Sequence, residues 1–138
     1  MLSKKTKYGL KALIYIAKHE GSEPVLISEI SDNERIPKKF LEAILLDLKK
    51  FGILGSKKGK GGGYYLLKDP KEITAATLIR VLDGPLAMLP CVSLNYYEKC
   101  DDCPDEAKCN LNKFLAQVRD NTLNLLQQRS LHDLAQLK

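Results

Sequence analysis

The sequence predicts a mainly α-helical chain with one small β-hairpin, and three observations predict it. Apolar residues recur at helical spacing in three consecutive N-terminal segments. Two short strand-like runs then flank a glycine- and lysine-rich stretch, Lys57-Lys58-Gly59-Lys60-Gly61-Gly62-Gly63-Tyr64-Tyr65. Near the C-terminus, Leu111 to Gln128 forms the longest helical pattern in the chain.

The elements follow in order. Thr6 to His19 reads as a helix because Leu10, Leu13, Ile14 and Ala17 share one face, and Gly21 ends it. Ile27 to Glu34 reads as a short second helix with Ile27 and Ile30 inward, and Arg35-Ile36 as the turn after it. Pro37 opens a third helix, where the missing N–H costs nothing. Phe40, Leu41, Ile44, Leu45, Leu48 and Phe51 form its apolar stripe, and Gly52 closes it. Ile53 to Lys57 and Gly63 to Leu67 read as strands, with one of Tyr64 and Tyr65 inward and the other outward. Thr74 caps a fourth helix, Ala75 to Leu82. Residues 86–109 are irregular and contain every cysteine, and Ser130-Leu131-His132-Asp133 reads as a capping box for a short last helix.

Three helices followed by a two-stranded wing is the winged helix-turn-helix order, in which the third helix lies in the DNA major groove. The expected division is a DNA-binding domain over residues 1–84 and a cysteine-bearing sensor loop with a long dimerisation helix over residues 85–138. Charge follows the same division. Residues 1–90 hold 16 Lys and Arg against 10 Asp and Glu, whereas residues 91–138 hold 6 against 7. The net charge of +5 therefore arises in the first two thirds, as suits a face for a polyanion. A solvated lysine-rich surface is the plainer reading of charge alone.

No apolar run approaches the ~18 residues of a membrane span, and no signal-type stretch follows Met1, so a cytoplasmic location is expected. In that reducing setting, cysteines point to metal, cluster or redox chemistry more than to a structural disulfide. No Ser/His/Asp set, paired-carboxylate site or phosphate-cradling loop is present, and the glycine run lacks the GK[ST] ending of a P-loop. No small-molecule substrate is expected, and His19 and His132 read as structural.

The segments Thr6-Lys7-Tyr8-Gly9, Ile36 to Glu42, Leu48 to Leu54 and Lys57 to Leu67 together resemble the Rrf-two family of bacterial winged-helix regulators. The cysteine loop, the long helix and Leu131-His132-Asp133-Leu134 follow in that family's order, so the resemblance covers nearly the whole chain. It implies a homodimer on pseudo-palindromic double-stranded DNA, usually acting as a repressor. It implies base and phosphate contacts from Lys38, Lys39, Phe40, Glu42 and Ala43. The wing, with Lys57, Lys58, Lys60, Gly61 and Gly62, would add contacts, and Lys5, Thr6 and Lys7 would touch the DNA backbone. The same resemblance places pairing on the long helix, whose seam is Leu111, Leu115, Val118, Thr122 and Leu125. Glu42 is the candidate for base selection, since a carboxylate accepts from cytosine N4. Its alternative reading is a solvated helix-face residue.

Cys91, Cys100, Cys103 and Cys109 have the spacing C-x8-C-x2-C-x5-C. Four thiolates so close in sequence suit an iron–sulfur cluster or tetrahedral zinc, and metal-free thiols that switch by disulfide formation remain a third reading. The resemblance makes Cys91, Cys103 and Cys109 the equivalents of the family's three cluster cysteines. Asn112 stands where a cluster-binding member has a histidine, and Cys100 is a further thiol that offers itself in that place. A second function class also fits the sequence: a winged-helix adaptor that docks a protein and carries a structural zinc or thiol site.

Overall fold

Ser3 starts the first helix two residues before the periodicity suggests. Its hydroxyl accepts the Thr6 N–H at 3.1 Å and so caps α1, Lys4–Lys18. The structure, a computed structural model, describes residues 2–19, 21 and 23–137. Among them follow α2 (Ile27–Glu34), α3 (Lys38–Lys50), β1 (Leu54–Lys57), β2 (Gly63–Leu66), α4 (Ala75–Leu82), α5 (Asn110–Gln128) and α6 (Leu131–Gln136). No helix among the described residues is long and apolar enough to cross a membrane.

The turn between α2 and α3 is set by Arg35, which takes the left-handed conformation at φ 54°. Ser31 braces it, its hydroxyl donating to the Ile36 carbonyl at 2.7 Å. Pro37 sits one position earlier than expected, as the extended N-cap of α3 and not its first residue. The helix ends in a Schellman arrangement. Ile53 N–H reaches Leu48 O at 3.0 Å and Gly52 N–H reaches Lys49 O at 3.1 Å, with Gly52 at φ 77°. Leu41, Ile44, Leu45 and Leu48 are buried. Phe40 and Phe51 are not: they lie at the edge of that stripe, about 100° per residue around the helix, and are 40% and 60% exposed. The anchor of α3 is thus narrower than the sequence stripe.

The wing is an antiparallel pair with Leu54 opposite Leu66 and Lys57 opposite Gly63. A third strand-like contact supports it from a distance. Val25 and Tyr64 exchange two backbone hydrogen bonds, both 2.8 Å. Gly63 lies directly against this bridge at φ 141°, and a Cβ there would stand 2.4 Å from Val25 O. Tyr64 packs against the core, and Tyr65 is 41% exposed, as the alternation predicts.

The last helix returns to the first. Ala75 N–H donates to Arg129 O at 2.8 Å, and Leu131 N–H to Ile73 O at 2.7 Å. Ser130 and Asp133 complete the expected capping box, and the Ser130 backbone N–H holds the Asp133 carboxyl below its usual pKa. Leu131 is fully buried beside Leu13, Ile16, Ile30, Leu45, Leu54 and Leu78 in one core. Burying an aliphatic side chain of this size is worth about 1.5–3 kcal/mol, so α6 is fastened chiefly by this residue.

Candidate nucleic-acid interface and cysteine cleft

The core leaves the start of α3 free. Lys38, Lys39, Phe40, Glu42 and Ala43 are all exposed. Phe40 meets Tyr8 edge to face with ring centroids 5.6 Å apart, and the Lys7 ammonium lies 5.6 Å from the Tyr8 ring. The N-terminal ends of α1 and α3 are thereby joined through aromatic contacts. The three predicted α1 residues fare differently. Lys7 is exposed, Lys5 is held by Asp47 at 2.9 Å, and Thr6 is fully buried with its hydroxyl 3.0 Å from Ser3 Oγ.

The wing tip is open at Lys57, Lys58, Lys60 and Gly61. Gly62 is buried, and a Cβ on it would fall 2.3 Å from Lys57 O, so it shapes the turn from within. Lys49 of α3 donates to Ser56 Oγ at 2.7 Å and ties the helix to the base of the wing. Among the described residues, Lys7, Lys38, Lys39, Lys57, Lys58 and Lys60 form no ion pair. Their charge is uncompensated at contact range, which favours an anionic partner.

All four cysteines line one cleft of about 630 Å³ between residues 89–109 and the start of α5. Cys91, Cys103 and Cys109 are half-buried, Cys100 is exposed, and all are free thiols. Cys109 caps α5, its sulfur accepting the Asn112 N–H at 3.4 Å. Asn112 also extends its amide toward Cys91 O at 3.5 Å. The Cys100 thiol donates to Asp102 at 2.8 Å, and this bond pushes the thiol pKa up and the carboxyl pKa down. Tyr97 spans the loop and donates to both Glu106 oxygens at 3.0 and 2.9 Å, which raises the phenol pKa. The donor set suits a soft metal centre. Among the described residues, however, no three His, Cys, Asp or Glu side chains converge on one ion position.

On α5 no residue is fully buried. Leu115, which the expected pairing seam includes, is half-buried with Ala116, Arg119, Leu123 and Leu126, on the face that α5 turns to α4 and the Pro90–Val92 turn. The adjoining face is open at Leu111, Phe114, Thr122 and Leu125, with Val118 half-exposed between them. Phe114 shares this open face, at i, i+3 spacing from Leu111, although the expected seam omits it. The Tyr97–Glu106 and Arg119–Val92 pairings are not legible in the sequence, because the partners lie 9 and 27 residues apart without periodic signal.

A family model for Rrf2, described as an iron-dependent transcriptional regulator, matches residues 2–137. The chain belongs to the Rrf2 (Rrf-two) family. It is 43% identical to an rrf2-like HTH-type transcriptional regulator of Rhodobacter capsulatus over 97% of this chain and 91% of that one. The solved structure of CymR, the global cysteine regulator of Bacillus subtilis, superposes with a TM-score of 0.80 at 32% identity, covering 98% of this chain and 95% of that one. IscR of T. potens superposes with a TM-score of 0.76 at 26% identity, covering 100% and 92%. This Rrf2 protein is a transcriptional regulator with a winged-helix fold, and it is not an enzyme.

Proposed function

We propose that this Rrf2 protein acts as a homodimeric repressor on a pseudo-palindromic operator, with its affinity set through the cysteine cleft. The observation that carries the reading is the exposed, unpaired lysine set on the α3 start and wing, held by a buried core. Lys57, Lys58 and Lys60 neutralise phosphates, while the α3 N-terminus adds free N–H groups and a partial positive charge. Glu42 selects among bases. The open α5 face of Leu111, Phe114, Val118, Thr122 and Leu125 supplies the pairing seam. Two recognition helices would then address half-sites one helical turn apart, about 34–36 Å.

For the cleft, Cys91, Cys103 and Cys109 would hold an iron–sulfur cluster with Cys100 as the fourth donor. When bound, such a group supplies a centre that responds to oxidants and iron supply. The chain's part is mechanical. Cys109 caps α5, so order in the loop sets the first turn of the helix carrying the seam. A change at the cleft alters the angle between the two DNA-binding heads, and with it operator affinity.

Footprinting on genomic fragments tests the first part: two protected half-sites are expected, and a single unpaired footprint contradicts dimeric binding. Anaerobic purification with iron and sulfide analysis tests the second. Visible absorption between about 320 and 450 nm is expected; a colourless, zinc-bearing protein overturns the cluster reading.

A further inference from the structure

Arg119 lies in the middle of α5, and its side chain is only 18% exposed. Asp120 Oδ1 accepts from Nε at 2.9 Å and forms an ion pair with Nη2 at 2.9 Å. That grip leaves Nη1 aimed at the backbone, where it donates to Val92 O at 2.7 Å. Asn112 lies seven residues earlier, two turns along the same face. Its amide reaches the preceding carbonyl, Cys91 O, at 3.5 Å. Two residues on one face of α5 therefore hold consecutive carbonyls of the segment that carries Cys91. The charge-assisted bond from Arg119 is the shorter and stronger of the two. The gripped segment is itself firm: Val92 and Ser93 are 2% and 6% exposed, and Ser93 Oγ accepts the Tyr96 N–H at 3.0 Å.

We propose that Arg119 is a positioning residue for Cys91. It fixes that thiol relative to Cys109, which caps the same helix, and makes α5 the rigid ruler between the two sulfurs. Arg119 also adjoins Val118 of the open seam, so displacement of Cys91 is passed to the pairing face. No other described residue combines these contacts, and lysine cannot replace the fork, because it lacks the planar donors that engage Asp120 and Val92 together. The inference deepens the proposed role of the cleft, yet its test does not need a metal.

The test is per-cysteine alkylation by iodoacetamide of the full-length, reduced, metal-free protein, read by peptide mass spectrometry. In Arg119→Met, which keeps the aliphatic packing, the Cys91 rate is expected to rise about tenfold. Cys100, already exposed, stays within about twofold, and Arg119→Lys falls between wild type and Met. Far-UV circular dichroism establishes that the overall helix content is unchanged. An unchanged Cys91 rate, or an equal rise at all four thiols, overturns the proposal. Should Arg119→Met fail to fold, Asn112→Ala removes the second grip and is expected to raise Cys91 reactivity selectively by a smaller factor; no selective rise there overturns it equally. A protein that never takes up iron would sink the cluster reading and leave this measurement standing.

Discussion

The DNA-facing head and the cysteine loop are built by opposite means. The head is shaped before any partner arrives. Leu41, Ile44, Leu45 and Leu48 seat α3, and Gly62 and Gly63 make room for backbone oxygens that no side chain would tolerate. Val25 clamps the wing from a distant segment. The loop has only Val92 and Ser93 buried and is otherwise held by polar straps, an exposed one from Tyr97 and a part-buried one from Arg119. Its four thiols share a cleft without converging. A surface that meets a rigid polyanion gains from being ordered in advance, because no ordering entropy is then charged to binding. The sensor role proposed for the loop would gain from the reverse, since its order could then depend on what it holds.

The contrast is most easily broken at Leu131. If the head depends on a core completed by α6, Leu131→Ala lowers unfolding stability by about 3 kcal/mol in urea titration. A loss below about 1 kcal/mol would mean that α6 is an accessory to the head and not part of its core. Gly63→Ala comes next. It forces a side chain into a positive-φ site against Val25 O and should cost about 2 kcal/mol. It should also weaken duplex binding, as fluorescence anisotropy would report. Tyr97→Phe acts on the other region and is the smallest effect. Loss of the phenol–Glu106 strap should leave the melting temperature of the head unchanged. Alkylation at Cys103 should rise by about threefold at most. A drop in head stability from this change would erase the distinction between the two regions.

Sequence legibility divides along the same line. The limits of α2 and α4 agree with the periodicity because local signals set them: Thr74 caps α4, and the chain turns at Arg35 after α2. Gly52 marks the end of α3 for the same reason. The lysine wing is legible because its charge and glycines are contiguous. What could not be read depends on chain segments meeting from afar. The Val25–Tyr64 bridge, the return of α6 and the Arg119–Val92 bond leave no periodic trace. Phe40 and Phe51 illustrate a subtler failure, since hydrophobicity alone does not say how wide a buried stripe is. Thr6 shows the converse, a polar residue taken into the interior because Ser3 satisfies its hydroxyl.

The central claim is that the lysine wing, together with α3, grips duplex DNA through phosphate neutralisation. Its most direct test is the salt dependence of binding, compared between wild type and a variant with Lys57, Lys58 and Lys60 all changed to Ala. Each lost phosphate contact should flatten the log–log slope by about 0.9, so three contacts give a flattening of about 2.7. Equal slopes in the two proteins, with both folded, would contradict the claim.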